Sequence, residues 1–173
     1  MNSRVRFNEA SVTLYGTFPE KGGRIPGFSL VNSALEKWSY NEFFDKNILI
    51  YFFPSVDTSV CSNSLKKINE MAQKFPSLKI ICISADLPFA QGRFIDDNQL
   101  NHITMLSTYL NEQVKIIFGV AIADSPLVGL CARGVILADV CGNIQYSQLV
   151  PDITTEPDYK SLEFAIKVAS DNI

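Results

Sequence analysis

Apolar and polar positions along this 173-residue chain change period at a cysteine. Ile48-Leu49-Ile50-Tyr51-Phe52-Phe53 runs without a polar break, as expected of a strand covered on both faces. Beyond it, Cys61, Leu65, Ile68, Ala72 and Phe75 recur at spacings of four, three, four and three, the inner stripe of an amphipathic helix. Pro76 ends that helix at about Phe75, because the residue before a proline disfavours the α region. Lys79–Ser84, with Ile80, Ile81, Cys82 and Ile83, then predicts a second buried strand. Together these form a β-α-β unit with parallel strands and a right-handed crossover. Cys61 falls beyond the carboxyl end of its first strand, where open α/β sheets place their sites.

The flanking patterns extend this picture. Residues 4–14 alternate around Asn8-Glu9-Ala10 and predict an N-terminal hairpin. A Gly- and Pro-rich connection over 15–27 leads to a short strand, Phe28–Val31. Trp38, Tyr40, Phe43 and Phe44 mark a helical turn over 38–45. Ile103–Leu106 reads as a strand and Glu112–Phe118 as a short helix. Arg133–Ala138 and Ile144–Val150 flank Cys141-Gly142-Asn143 as an antiparallel hairpin. Thr155-Glu156-Pro157-Asp158 has the form of a helix start, with Tyr159, Leu162, Ile166 and Ala169 as the inner face of a last helix. Strands flanked by helices, with a late hairpin, predict an α/β, thioredoxin-like fold with a central mixed sheet. A single domain spanning 1–173 is expected, with 1–14 as its hairpin extension.

Composition and charge narrow the function classes. The 47% hydrophobic content suits an ordinary globular fold. A net charge of −3 gives no electrostatic reason to expect nucleic acid or an anionic membrane as partner. No segment approaches about 18 uninterrupted apolar residues, so no spanning helix is expected. Arg4, Arg6 and Glu9 interrupt the N-terminus, which does not read as a secretion signal, and the expected location is the cytoplasm. Cys61, Cys82, Cys131 and Cys141 are scattered, without a Cys-x-x-Cys pair, and His102 is the only histidine. Zinc needs clustered ligands, so neither metal nor cofactor is expected. Without a secretion signal the thiols read as free.

A cysteine in the first turn of a helix meets unpaired N–H groups and the positive end of the helix dipole, which favour a thiolate. Only the thiolate is an effective nucleophile, so a reactive site must lower the thiol pKa from about 8.5. A guanidinium nearby would add to this and could orient an oxygen-bearing substrate. Thr58, three residues earlier, can aim its hydroxyl at the sulfur or at a bound oxygen. Pro54 lacks an N–H and stiffens the turn that shields the sulfur. The competing reading makes Cys61 simply the first small residue of the buried stripe.

Pro54-Ser55-x-Asp57-Thr58-x-x-Cys61 resembles the peroxidatic motif of the peroxiredoxins, in particular of their bacterial thiol peroxidase branch. Further blocks are similar to that branch. They are Ile83-Ser84-Ala85-Asp86-Leu87-Pro88-Phe89-Ala90-Gln91-x-Arg93-Phe94, Gly119-Val120-Ala121-Ile122-Ala123-Asp124-x-Pro126-Leu127, Ala132-Arg133, and the run from Ser147 to Tyr159. The resemblance extends from about residue 10 to the C-terminus. It implies that the Cys61 thiolate attacks a peroxide oxygen and becomes sulfenic acid. Thr58 and Arg133 would hold the peroxide oxygens and stabilise charge on the leaving one. It also implies a homodimer whose partner completes the rim of the site.

One position departs from that pattern. The branch usually carries a resolving cysteine directly after its Arg-Phe pair, to be reduced by thioredoxin, and here Ile95 stands there. An external thiol, glutathione or reduced thioredoxin, is one way to recycle Cys61. A relocated resolving thiol is another. Cys131 is its best candidate, because alternate strand residues share a face and would put it beside Arg133, with Cys141 second. Cys82 reads as core packing, and a peroxide sensor is a third possibility. Two other functions stay open: a monothiol glutaredoxin-like oxidoreductase, from Cys61-Ser62-Asn63-Ser64 at a helix start, and a redox-inert binding protein.

Overall fold

A computed structural model describes residues 3–43 and 45–170. The chain opens with a hairpin of β1 (Arg4–Phe7) and β2 (Ala10–Tyr15). Asn8 and Glu9 turn it with φ of 48° and 68°, the left-handed pair that a two-residue type I′ hairpin requires. After β3 (Ser29–Val31) and β4 (Lys37–Ser39) comes a 3-10 turn, Tyr40–Phe43. The expected helical turn over 38–45 is therefore corrected. Trp38 lies in β4, paired with Leu30, and only the segment from Tyr40 is helical. Phe44 and the side chain of Phe43 lie outside what is described.

The β-α-β unit follows as β5 (Ile48–Phe52), α1 (Ser59–Lys74) and β6 (Lys79–Ser84). Then come α2 (Pro88–Asn98), β7 (Thr104–Ser107), α3 (Gln113–Ile117), β8 (Ala121–Ile122), β9 (Gly134–Ala138), β10 (Ile144–Leu149) and α4 (Tyr159–Ser170). One mixed sheet has the order β10-β9-β5-β6-β7-β3-β4, with β5, β6 and β7 parallel and β9 antiparallel to β5. A second sheet, β1-β2-β8, ties the N-terminal hairpin to the chain just before β9.

β5 is central and covered on both faces, which accounts for its unbroken apolar sequence. Leu49, Tyr51 and Phe53 enter one core with Cys61, Leu65 and Ile68 of α1 and Leu162 and Ile166 of α4. Ile48, Ile50 and Phe52 enter the other, with Leu14, Phe28, Val114 and Phe118. Asp158 caps α4, accepting the N–H of Ser161 at 3.1 Å. The helix therefore starts on the last residue of the Thr155–Asp158 segment that the sequence marks as a start.

Candidate active site

Cys61 is the third residue of α1, and Thr58 is the residue that begins the helix, in extended conformation at φ −98° and ψ 142°. The Thr58 carbonyl accepts the N–H of Ser62 at 2.9 Å, while its hydroxyl donates to the Ser55 carbonyl at 3.3 Å. Placing the sulfur in the first helical turn puts it where backbone N–H groups lack intrahelical partners. The loop feeding the helix is held from β6. Asp86 accepts the hydroxyl of Ser55 at 2.7 Å and the N–H of Val56 at 2.9 Å. The Ser84 hydroxyl also donates to Asp86, at 2.7 Å.

Arg133 arrives from just before β9, 72 residues further along the chain, and its Nη2 lies 3.5 Å from the Cys61 sulfur. Its Nη2 and Nε both donate to the Ile153 carbonyl, at 2.9 and 3.3 Å, and Nη1 donates to the Tyr51 hydroxyl at 2.5 Å. Cys61 is fully buried and Arg133 is only 1% exposed. Among the described residues no carboxylate lies within ion-pair distance of this guanidinium. A buried cation needs partners, and here they are a carbonyl, a phenol and a sulfur. Burial works against the charge of Arg133, but the Tyr51 oxygen and the Cys61 sulfur outweigh it and hold its pKa above the ordinary value. Burial pushes the Tyr51 phenol upward, so Tyr51 keeps its proton.

Thr58, Pro54 and Arg133 line one cleft of about 200 Å³. Its walls are otherwise chiefly apolar, with Phe7 of the N-terminal hairpin, Val60, Leu127, Leu130 and Ile153. A larger groove between β10 and α4 touches none of the residues expected at the site.

The fold thus brings Pro54, Thr58, Cys61 and Arg133 together, and leaves the other cysteines apart. Cys131 is fully buried in the core on the opposite face of the sheet from Cys61. Its expected shared face with Arg133 does not hold. Residues 130–132 pair with the segment around β8, through the Ala121–Cys131 bridge and the Ala132 N–H on the Val120 carbonyl, and β9 begins only at Gly134. Regular alternation therefore cannot be carried back to Cys131. Burial pushes its thiol up to about 12, the strongest influence, with Lys115 acting in the opposite sense. Cys141 is exposed in the β9–β10 turn, where Ala138 pairs with Ile48, at the end of β5 away from Cys61. Cys82 lies mid-strand opposite Tyr51 and is buried, which raises its pKa. Ile95 packs against the core from α2.

Sequence reasoning did not single out Tyr51 or Asp86. Tyr51 is one apolar-looking position in a buried run, though a hydroxyl inside such a run needs a partner and was a signal in itself. Asp86 lies two residues past the end of β6, and nothing in its local sequence shows what it holds.

A redoxin family model matches residues 20–162. The chain is 39% identical to a thiol peroxidase of Vibrio cholerae, over 90% of this chain and 94% of that one. It is 38% identical to a thiol peroxidase of Corynebacterium glutamicum, over 91% and 94%. A peroxiredoxin-like protein from Aquifex aeolicus superposes with a TM-score of 0.91 at 32% identity, covering 97% of this chain and 98% of that one. A thiol peroxidase from Chromobacterium violaceum gives 0.91 at 26% identity, covering 98% of both chains. A buried cysteine at a helix start, a guanidinium on its sulfur and this agreement along nearly the whole chain lead to one assignment: the chain belongs to the redoxin family, as a peroxiredoxin of the bacterial thiol peroxidase branch.

Proposed function

We propose that the protein reduces hydrogen peroxide and organic hydroperoxides at Cys61 and is recycled by an external thiol. The observation that carries this reading is the Arg133 guanidinium lying 3.5 Å from a buried sulfur at a helix start. The Cys61 thiolate attacks one peroxide oxygen, an S–O bond forms and the O–O bond breaks. The departing oxygen takes a proton and leaves as water or an alcohol, and the sulfur becomes sulfenic acid. Thr58 and Arg133, which line the same cleft, hold the two oxygens and stabilise charge on the leaving one. Pro54 walls the cleft and keeps bulk water from the sulfur. The apolar walls favour the alkyl part of an organic hydroperoxide.

With isoleucine at position 95 and Cys131 across the sheet, the sulfenic acid meets a thiol from outside, of the glutathione or thioredoxin type. The first thiol forms a mixed disulfide and water, and a second releases Cys61. The expected setting is the cytoplasm, and no helix among the described residues is long and apolar enough to cross a membrane.

Intact-mass measurement after one equivalent of peroxide tests this. A gain of one oxygen on the natural protein, absent in Cys61→Ser, is expected. Failure of Cys61 to oxidise would sink the peroxidase reading, and loss of two hydrogens would restore a resolving thiol within the chain. The functional unit is a homodimer. In support, Leu87, Phe89, Leu110 and Val128 are 54–67% exposed near the cleft and the carboxyl ends of β6 and β7. Sedimentation at dimer mass, shifted towards monomer by Phe89→Glu with Leu110→Glu, is expected, and a monomer in the natural protein would refute it.

A further inference from the structure

Tyr51 lies outside the cleft, yet it holds the one Arg133 nitrogen that touches neither Ile153 nor Cys61. We propose that Tyr51 is a positioning residue for peroxide reduction, fixing the Arg133 guanidinium so that Nη2 stays directed at the Cys61 sulfur. The inference rests on the peroxidase reading of Cys61 and Arg133 given above.

The geometry supports a steering role. A single carbonyl, that of Ile153, accepts from both Nε and Nη2 and anchors one edge of the planar group. That contact alone leaves the opposite corner, Nη1, undefined. The Tyr51 hydroxyl takes Nη1 and completes a fixed set of directions, which suits the rigid fork of an arginine. Tyr51 itself has no freedom to wander. Its ring is fully buried, stacked on Phe53 at 5.4 Å, and flanked in register by Cys82 of β6 and Val135 of β9.

Its hydroxyl is held in turn. The Tyr51 oxygen keeps its proton while it accepts from Arg133, and the Ser64 hydroxyl acts on it in the opposite sense to burial, lowering its pKa. Ser64 lies one turn beyond Cys61 on α1, is fully buried, and donates to Glu156 at 3.4 Å. The contacts from Cys61 through Arg133 to Tyr51 thus link the nucleophile to β5. Because burial keeps the phenol protonated, Tyr51 offers Nη1 a neutral hydroxyl acceptor, which phenylalanine cannot do. In Tyr51→Phe, Nη1 is left unpaired in a buried place and the guanidinium must tilt towards another acceptor.

The test is Tyr51→Phe, with the second-order rates of Cys61 oxidation by hydrogen peroxide and of alkylation by iodoacetamide, at one fixed pH. Hydrogen exchange at the Arg133 side-chain N–H groups is followed by NMR alongside. The expected result is a peroxide rate lower by about tenfold or more, the scale of one lost buried hydrogen bond to a charged group. Alkylation should fall far less, since iodoacetamide does not use the guanidinium to activate a leaving oxygen, and exchange at Arg133 should quicken. A peroxide rate within about twofold of the natural protein, or an equal fall in both reactions, overturns the proposal. Should Tyr51→Phe fail to fold by circular dichroism, Ser64→Ala keeps the ring and removes the hydroxyl that acts on the phenol. The same split between the two rates is then expected, and its absence has the same consequence. If the natural protein is not oxidised at Cys61, the peroxidase reading fails. If it is oxidised and neither variant shows the split, only the role of Tyr51 fails.

Discussion

Asp86 shows how a residue with no contact to the sulfur can govern it. Its carboxylate gathers the Ser55 hydroxyl, the Val56 N–H and the Ser84 hydroxyl, and its carbonyl accepts the Ser107 hydroxyl at 2.5 Å. Two of these groups belong to the loop that sets Thr58 and the first turn of α1. Asp86→Ala leaves that loop without its tie to β6. The expected cost is about 1–3 kcal/mol of stability, the range for stranding buried hydrogen-bonding groups. Peroxide oxidation of Cys61 should slow as well, because Thr58 loses its fixed place. Urea unfolding with stopped-flow rates checks both, and a variant equal to the natural protein in each would remove Asp86 from the site. Residues of this kind are hard to find in a sequence. Cys61 was legible because its spacing put it at a helix start, and Thr58 because it is close by. Arg133 needed the family motif, since the chain must fold before residues 72 positions apart can meet.

At the scale of elements, legibility followed the strength of the apolar pattern. β5, α1 and β6 were read nearly to the residue because each presents a continuous or periodic apolar face to a core. α2 was not read as a helix, although Pro88 at its first position is a start signal. Its buried face includes Gln91, fully enclosed and donating to the Ser84 hydroxyl and the Leu106 carbonyl. A polar residue buried by tertiary contacts, its amide nitrogen held at both hydrogens, breaks the stripe on which a periodicity argument depends. β8 has two residues, too few to show alternation. The expectation for Cys131 failed for a related reason. The rule that alternate residues share a face holds within one regular strand, and residues 130–132 are committed to β8 before β9 begins. Chain direction at such a changeover is set by which neighbour supplies the backbone partners, and the local sequence does not record it.

The molecule as a whole carries a set of carboxylates whose folded environments favour ionisation. Burial opposes the charge on Asp139, but hydrogen bonds from Asn143, the Cys141 N–H and Gln145 prevail and lower its pKa. Glu156 is likewise opposed by burial and lowered on balance by Lys67, with Tyr159 and Ser64 assisting. Thr154 lowers Asp152, Ser161 lowers Asp158, and Lys74 with Lys167 lowers Glu163. These groups close the β9–β10 turn, start α4, fasten α4 to α1 through the Lys74–Glu163 pair, and fasten the segment before α4 to α1 through the Lys67–Glu156 pair. Each folded pKa lies below its unfolded counterpart of about 3.9 for aspartate or 4.3 for glutamate. Over the interval between the two, the unfolded chain binds more protons, so stability rises with pH there. Their contribution is present in full above the unfolded values and is lost as pH falls through the folded ones. Thermal melts by circular dichroism between about pH 6 and 2.5 should therefore hold a steady midpoint until about pH 4.5 and then decline. Added salt should reduce the drop, because Lys67 and Lys74 are both at least half exposed and their pairs are open to screening. A midpoint unchanged between pH 5 and 3 would show that these carboxylates do not hold α4 and the β9–β10 turn in place.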